Sequence, residues 1–383
     1  MTTYDAAVIG LGGMGAAAAY RLAARGLRVV GLERFGPAHD KGSSHGDSRI
    51  IRQAYFEHPA YVPLLRRAYE LWRETERASG ERLLTITGGL FIGRPDAATV
   101  TGAVHSARTW DLPHEYLDAS EVARRFPTFR PGADDVAVYE PYAGYVEPEA
   151  TIRANLSLAG SHGADLRFGE RVTGWDADGD GVRVTTDQGV YRAGRLVVAA
   201  GAWSGGLLAQ PGLPLRVERQ VMHWFAADDP AAFAAPGHPI YVWEDAGGDQ
   251  VYGFGTRPGD EAAKLAFFRR PNACDPDAVD RVVHDAEVAE IRGWLADRIP
   301  GLRRHVAAKT CMYTLTTDHH FVVGPHPRHP NVVIAAGFSG HGFKFVPVIG
   351  EILADLAIDG GTAHDIALFD PTRGFPAVDP ALR

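Results

Sequence analysis

Two arginines three positions apart, Arg49 and Arg52, close the run Gly42-Ser43-Ser44-His45-Gly46-Asp47-Ser48-Arg49-Ile50-Ile51-Arg52. Following a loop of small residues, they can present two guanidinium groups to one side. One suits bidentate binding of a carboxylate; the other places positive charge beside an electron-rich group. Read blandly, both are surface arginines. Tyr55 and Tyr61 follow within reach. A second segment, Lys309-Thr310-Cys311-Met312-Tyr313-Thr314, carries a cysteine. As a thiol, Cys311 is a small buried hydrophobe; as a thiolate it is a nucleophile toward an electrophilic carbon. A third segment, Ala336-Gly337-Phe338-Ser339-Gly340-His341-Gly342-Phe343-Lys344-Phe345, has three glycines that allow close backbone approach to a ring system. Lys344 and the helix start behind it bring positive charge, suited to an anionic reduced ring.

These residues need elements to hold them. Ala6–Ile9 is a short apolar strand that ends in Gly10-Leu11-Gly12-Gly13-Met14-Gly15. An alanine-rich helix over 16–25 follows, then a second strand over 27–32 ending in Glu33. Gly10, Gly12 and Gly15 match G-x-G-x-x-G, in which the glycines give a tight turn, close approach to a pyrophosphate and tight helix packing. The pyrophosphate then sits on the helix N-terminus, and Glu33 is placed to accept from ribose hydroxyls. An acid rather than an arginine there points to FAD or NAD over NADP, and the fingerprint alone leaves those two open.

Further along, the spacing predicts a helix through Leu64, Leu65, Ala68, Leu71 and Trp72, and a strand over 85–92 with a turn at Gly88-Gly89. Short helices and strands alternate over 94–147, and a β-meander fills 167–196. Buried strands run into glycine turns near residues 200 and 335. Alternating strands occupy 220–254, and periodicity predicts helices over 277–299 and 346–358. The expected fold class is therefore α/β plus α+β. A discontinuous Rossmann-type dinucleotide-binding domain (1–85, 147–219 and 310–383) is joined to a mostly antiparallel-sheet substrate domain (86–146 and 220–309).

The strings GSSHGDSRIIRQAY, KTCMYT and NVVIAAGFSGHGFKF together resemble the monomeric sarcosine oxidase family, which includes N-methyltryptophan oxidase. The resemblance extends over essentially the whole chain. It implies a flavoprotein oxidase in which a cysteine, here Cys311, carries FAD covalently through its 8α-methyl group. It implies a carboxylate-binding pair at Arg52 and Lys344, an arginine near the flavin at Arg49, and a lysine promoting oxygen reduction at Lys264. Active-site tyrosines fall on Tyr55, Tyr252 and Tyr313, the Tyr252 match needing a one-residue shift in the loop. The expected cofactor-binding set is Gly10, Gly12, Gly13, Met14, Gly15, Glu33, Arg34, Ser43, Ser44, His45, Arg49, Ile50, Val172, Gly201, Trp203, Cys311, Met312, Gly337, Gly340, Gly342, Phe343 and Lys344. One departure stands out. Where sarcosine-type members have a histidine, this sequence has Phe268. That turns a titratable wall apolar, unless Phe268 packs elsewhere.

The resemblance implies oxidation of an N-methyl or N-alkyl amino acid to an imine, which hydrolyses to aldehyde and primary amine while O2 becomes H2O2. Cyclic imino acids and fructosyl amino acids are alternatives on the same scaffold. An NAD-dependent dehydrogenase would leave Cys311 and the turn at Gly337 unexplained. An electron carrier without its own substrate would leave Arg49, Arg52 and Lys264 idle.

The 383 residues carry 47 acidic and 39 basic side chains, a net charge of -8, which argues against nucleic-acid binding. No apolar run approaches the ~20 residues that span a bilayer. Two cysteines, Cys274 and Cys311, exclude a disulfide framework and favour a reducing compartment. Cys274 reads as incidental, in a loop. With no basic N-terminal leader, a cytoplasmic monomer that binds no metal is expected.

Overall fold

Residues 3–33 fold as the expected strand, turn, helix and strand. In a computed structural model, described over residues 3–209 and 212–377, these are β1 (Thr3–Ile9), α1 (Gly13–Ala24) and β2 (Val29–Glu33). There follow β3 (Arg49–Ile51), α2 (Val62–Ser79), β4 (Leu84–Ile86), β5 (Gly89–Gly93), α3 (Ala98–Thr109), β6 (Glu115–Asp118), α4 (Ala119–Arg125), β7 (Val136–Glu140), β8 (Gly144–Val146) and α5 (Pro148–Ser161). The middle of the chain holds β9 (Asp165–Phe168), β10 (Val172–Asp178), β11 (Gly181–Thr186), β12 (Val190–Val198), α6 (Ser204–Leu207), β13 (Arg216–Ala227), β14 (Ile240–Glu244), β15 (Gln250–Gly253) and β16 (Ala262–Phe267). The last elements are α7 (Asp285–Arg298), β17 (Leu302–Leu315), β18 (Val322–His326), β19 (His329–Ala336) and α8 (Val346–Asp359).

Three sheets result. The first has the order β10-β11-β12-β1-β2-β9. The last residues of β12 also pair in parallel with β19, which carries β18 at its side. Its central strands are parallel and buried, so they read as unbroken apolar runs. Gly10 has a positive φ of +85°, and a Cβ there would lie 2.6 Å from the Ala199 carbonyl oxygen; a Cβ on Gly15 would lie 1.7 Å from the Gly10 carbonyl oxygen. Only glycine at both positions lets α1 start against the end of β1. The buried Ala16–Ala19 face of α1 then packs between α5 and α8.

The second sheet runs β17-β13-β16-β15-β14-β5-β7-β6, antiparallel except at the β14–β5 pair. Its own core joins Phe225, Trp243, Val251 and Leu265 to Ile291, Trp294 and Leu295 of α7. The third sheet is β3-β8-β4 and carries Arg49.

Two expectations change. The strand expected over 85–92 divides at its turn, with β4 in the third sheet and β5 in the second. The helix expected from 277 begins only at Asp285, where Glu287 accepts the His284 N–H at 2.9 Å. The expected domain boundaries at 219/220 and 309/310 fall inside β13 and β17, which run side by side from the first cavity described below into the second sheet. Among the described residues, no helix is long and apolar enough to cross a membrane.

Candidate active site

The glycine turn, the end of β2 and the loops after β12 and β19 surround a cavity of about 940 Å³. Of the expected cofactor-binding residues, Gly10, Gly12, Gly13, Met14, Glu33, Arg34, Ser43, Ser44 and Arg49 line it from the N-terminal part of the chain. Val172, Gly201, Trp203, Met312, Gly337, Gly340, Gly342 and Phe343 line it from the rest. Gly15 lies beneath the turn rather than at the cavity. A Cβ on Gly12 would meet nothing within 4 Å, so that turn is a cradle open to a ligand.

Glu33 Oε2 accepts from the Leu11 N–H and Oε1 from the Phe35 N–H, each at 2.9 Å, with His39 Nε2 3.3 Å from Oε1. Burial opposes its charge, yet His39 and the two backbone donors outweigh it and hold the carboxyl below its ordinary value. The residues and space fit a dinucleotide with two ribose hydroxyls near Glu33.

The segment 273–277 lines the same cavity. Asp277 pairs with Arg34 and accepts from Trp203 Nε1 at 2.8 Å. Residues 273–277 thus form a strap along the cofactor cavity, and residues 277–284, expected to be helical, continue it without a helix. Cys274 lines that cavity and is not incidental.

A second, smaller cavity of about 60 Å³ adjoins the first. Arg49, Tyr313, Gly340 and Phe343 belong to both walls. Arg52, Lys344, Tyr252, Phe268 and Ile50 line the small cavity, joined by Phe56, Glu57, Val242 and His341. The Phe268 ring lies 6.4 Å from Tyr252 and 6.1 Å from Tyr313, so it is part of this wall and does not pack elsewhere.

The charged groups here are tightly held. Arg52 is 2% exposed; its Nη2 donates to Glu57 Oε2 at 2.6 Å and its Nη1 to the Ala54 carbonyl at 3.2 Å. Its guanidinium stacks 4.2 Å from the Tyr55 ring centre and 4.1 Å from that of Phe56. Burial disfavours the Glu57 carboxylate, but Arg52 first, then His341 and Lys344, hold its pKa down at about 2. Lys344 Nζ donates to the His341 carbonyl at 2.7 Å. Burial, reinforced by the Arg52 charge, pushes Lys344 well below the ordinary lysine value.

His341 Nε2 lies 2.9 Å from the His319 carbonyl, which can only accept, so Nε2 carries the proton. Nδ1 is then the acceptor for the Tyr55 hydroxyl, to which it is bonded. Tyr55 is fully buried behind the wall and holds His341 rather than lining the cavity.

Arg49 Nη2 donates to the Ser43 carbonyl and Nη1 to the Ser48 carbonyl, both at 2.9 Å. Cys311 Sγ is 3.8 Å from Arg49 Nη2 and 3.7 Å from the Ser43 oxygen. Cys311 is 1% exposed and lines neither cavity. Burial pushes its thiol up, with Arg49 pulling the other way. Lys264 likewise lines neither cavity. It stands on β16 with Nζ donating to the Gly46 carbonyl at 2.7 Å and also to the Ser48 carbonyl, over the Phe254 ring at 4.3 Å. Burial and then Arg49 push it well below its ordinary value. His45 is buried beside these groups, with neither ring nitrogen partnered; burial and Arg49 push its pKa down to about 3.

Sequence reasoning singled out Arg52 and Lys344 but missed their partners Glu57 and His341, and missed His39 and Asp277 at the larger cavity. His341 stood inside the glycine turn and was the one with a visible signal. The others had none, because their partners come from distant segments.

The fold and the large cavity define a class. Residues 5–356 match the FAD dependent oxidoreductase family, and the chain belongs to it. Within that family it groups with the monomeric sarcosine oxidases and N-methyltryptophan oxidases. It is similar to monomeric sarcosine oxidase of Streptomyces avermitilis, 56% identical over 375 residues, covering 97% of this chain and 98% of that protein. It is similar to N-methyl-L-tryptophan oxidase of Salmonella enteritidis, 34% identical over 380 residues, covering 97% and 99% of the two chains. Among solved structures it resembles NikD, described as an unusual amino acid oxidase essential for nikkomycin biosynthesis. The TM-score is 0.87 at 31% identity, covering 97% of this chain and 98% of that one.

Proposed function

We propose that the protein oxidises secondary amino acids, N-methyl or N-alkyl, in the small cavity. The observation that carries this is a small pocket walled by Arg52 and Lys344 that meets the dinucleotide cavity through Arg49, Tyr313, Gly340 and Phe343. FAD, when bound, supplies two-electron oxidation of the C–H bond beside nitrogen and reduction of O2 to H2O2.

The chain's own residues bind, orient and stabilise. Arg52 and Lys344 hold the substrate carboxylate, which fixes the amine end toward the shared wall. A carboxylate beside Lys344 opposes the effect of burial and favours its charged form. Tyr252, Tyr313 and Phe268 exclude water around the reacting carbon. Arg49 on β3 and Lys264 on β16 are cations held by the carbonyls of one loop, 43–48. They act on negative charge that develops only during reaction, so they cost no reorganisation. Cys311 is the attachment point of the flavin 8α-methyl carbon, and Arg49 beside its sulfur favours the thiolate needed for that bond. The imine hydrolyses to an aldehyde and a primary amine. Phe268 in the wall favours an apolar substituent over a polar one. A cyclic imino acid fits the same logic of arginine, lysine and apolar wall.

Peroxide release from a panel of N-methyl, cyclic and fructosyl amino acids tests this reading. N-methyl amino acids should give the highest kcat/KM. Absence of peroxide and of anaerobic flavin bleaching across the panel would reject the activity.

A further inference from the structure

Arg52, Phe56 and Glu57 reach the small cavity from residues 52–57, a stretch without regular structure between β3 and a short 3-10 turn at Pro59–Tyr61. Such a loop does not hold a guanidinium in place by itself. Its backbone is gripped from outside by the second sheet. Glu140, the last residue of β7, is 1% exposed. Its Oε1 accepts the Gln53 N–H at 2.7 Å and its Oε2 accepts the Ala54 N–H at 2.9 Å. The same residue, Ala54, turns its carbonyl to Arg52 Nη1. On the far side α3 closes in: Ser106 Oγ donates to the Tyr55 carbonyl, and a Cβ on Gly102 would lie 2.3 Å from the Phe56 carbonyl oxygen.

A buried carboxylate with no cation bonded to it is costly, and burial pushes Glu140 up to about 7 against the pull of the two N–H donors and Arg52. Glu140 lines neither cavity, so direct contact with a ligand does not explain it. Two acceptor oxygens on adjacent N–H groups do explain it. A carboxylate is the side chain that satisfies both at once, whereas a carboxamide must turn a donor toward one of them.

We propose that Glu140 is the positioning residue of the carboxylate-binding loop, fixing the Gln53–Ala54 peptides and through them the Arg52 guanidinium. This rests on the reading of Arg52 as a carboxylate holder. Glu140 belongs to the substrate sheet and Arg52 to the strand end beside the cofactor, so the contact also ties the two parts of the site together.

The test is a double-mutant cycle in the flavin-loaded enzyme, using the fastest-oxidised member of the N-methyl amino-acid panel. Glu140→Gln should raise KM about tenfold while the limiting rate of anaerobic flavin reduction changes less than about threefold. Arg52→Ala should raise KM further, and adding Glu140→Gln to it should have little extra effect, because one acts through the other. Glu140→Asp keeps both acceptors on a shorter tether and should fall between wild type and Glu140→Gln; it carries the test if Glu140→Gln does not fold. A KM within twofold of wild type in the folded variant, with only thermal stability lowered, overturns the proposal. So does an equal KM increase with and without Arg52. If Arg52→Ala itself leaves KM unchanged, the carboxylate-holder reading falls and takes this proposal with it. If Arg52→Ala raises KM and Glu140→Gln does not, only this proposal falls.

Discussion

Arg49 and Lys264 donate to the same carbonyl, that of Ser48, and so stand as one cationic unit on the 43–48 loop. Burial first, and then the neighbouring Arg49 charge, push Lys264 well below its ordinary value. On the proposed reading, negative charge developing nearby favours the charged lysine, which is what a lysine there would be used for. Lys264→Met should slow flavin reoxidation by O2 on the order of a hundredfold. Anaerobic reduction by substrate should be nearly unchanged, as stopped-flow traces of the two half-reactions would show; equal slowing of both would remove Lys264 from oxygen chemistry. Cys311→Ala should leave yellow colour that washes out on denaturation, whereas wild type keeps it on the polypeptide. Colour retained by the variant would move the linkage to another residue. The positions of Arg49, Cys311 and Lys344 were legible because these residues sit in dense local strings. Glu57 and His341 acquire meaning only when the 52–57 loop and the glycine turn face each other.

At the scale of elements, the 277–284 part of the strap is the main departure from expectation. Its periodicity looked helical, but Asp277 is drawn to Arg34 and Trp203, and Arg281 Nη2 donates to the Lys41 carbonyl at 2.8 Å. These long-range partners hold the segment out of a helix, which starts only at Asp285. Asp277→Ala in a Cys311→Ala background should raise the FAD dissociation constant about tenfold, the worth of one or two hydrogen bonds. Fluorescence titration of the apoprotein with FAD reads this directly, and an unchanged constant would make the strap a mere cover. The β4–β5 turn shows the same limit: Gly88-Gly89 marks a turn, but no local feature says that the chain changes sheet there.

For the whole molecule, buried neutral histidines set the acid limit of stability. His238 is 1% exposed, stacked 4.4 Å from the Phe129 ring, and burial pushes its pKa down to about 3. His223 is pushed down to about 4, by burial and then His305. Both are lowered bases, so the folded state binds fewer protons than the unfolded chain below pH 6.5. Their contribution is present above that pH and is lost as pH falls toward 4 and then 3, at about 1.4 kcal/mol per pH unit for each group. Thermal midpoints measured from pH 8 to pH 4 should fall below pH 6.5. His238→Phe, which keeps a ring on Phe129, should flatten that fall; an identical slope in the variant would assign the loss elsewhere.

The sequence by itself determined the dinucleotide turn, the acid after β2, the arginine loop and the glycine turn before α8. Each is set by backbone sterics or by residue types within a few positions, such as the Cβ that Gly15 has no room for. Only the tertiary structure decided that Arg52 meets Glu57, that Glu140 grips the loop beneath them, and that Lys264 shares an oxygen with Arg49. Those contacts join segments up to 216 positions apart. A buried charge takes its partner from whichever segment the packed core brings near it, and local spacing carries no record of that choice.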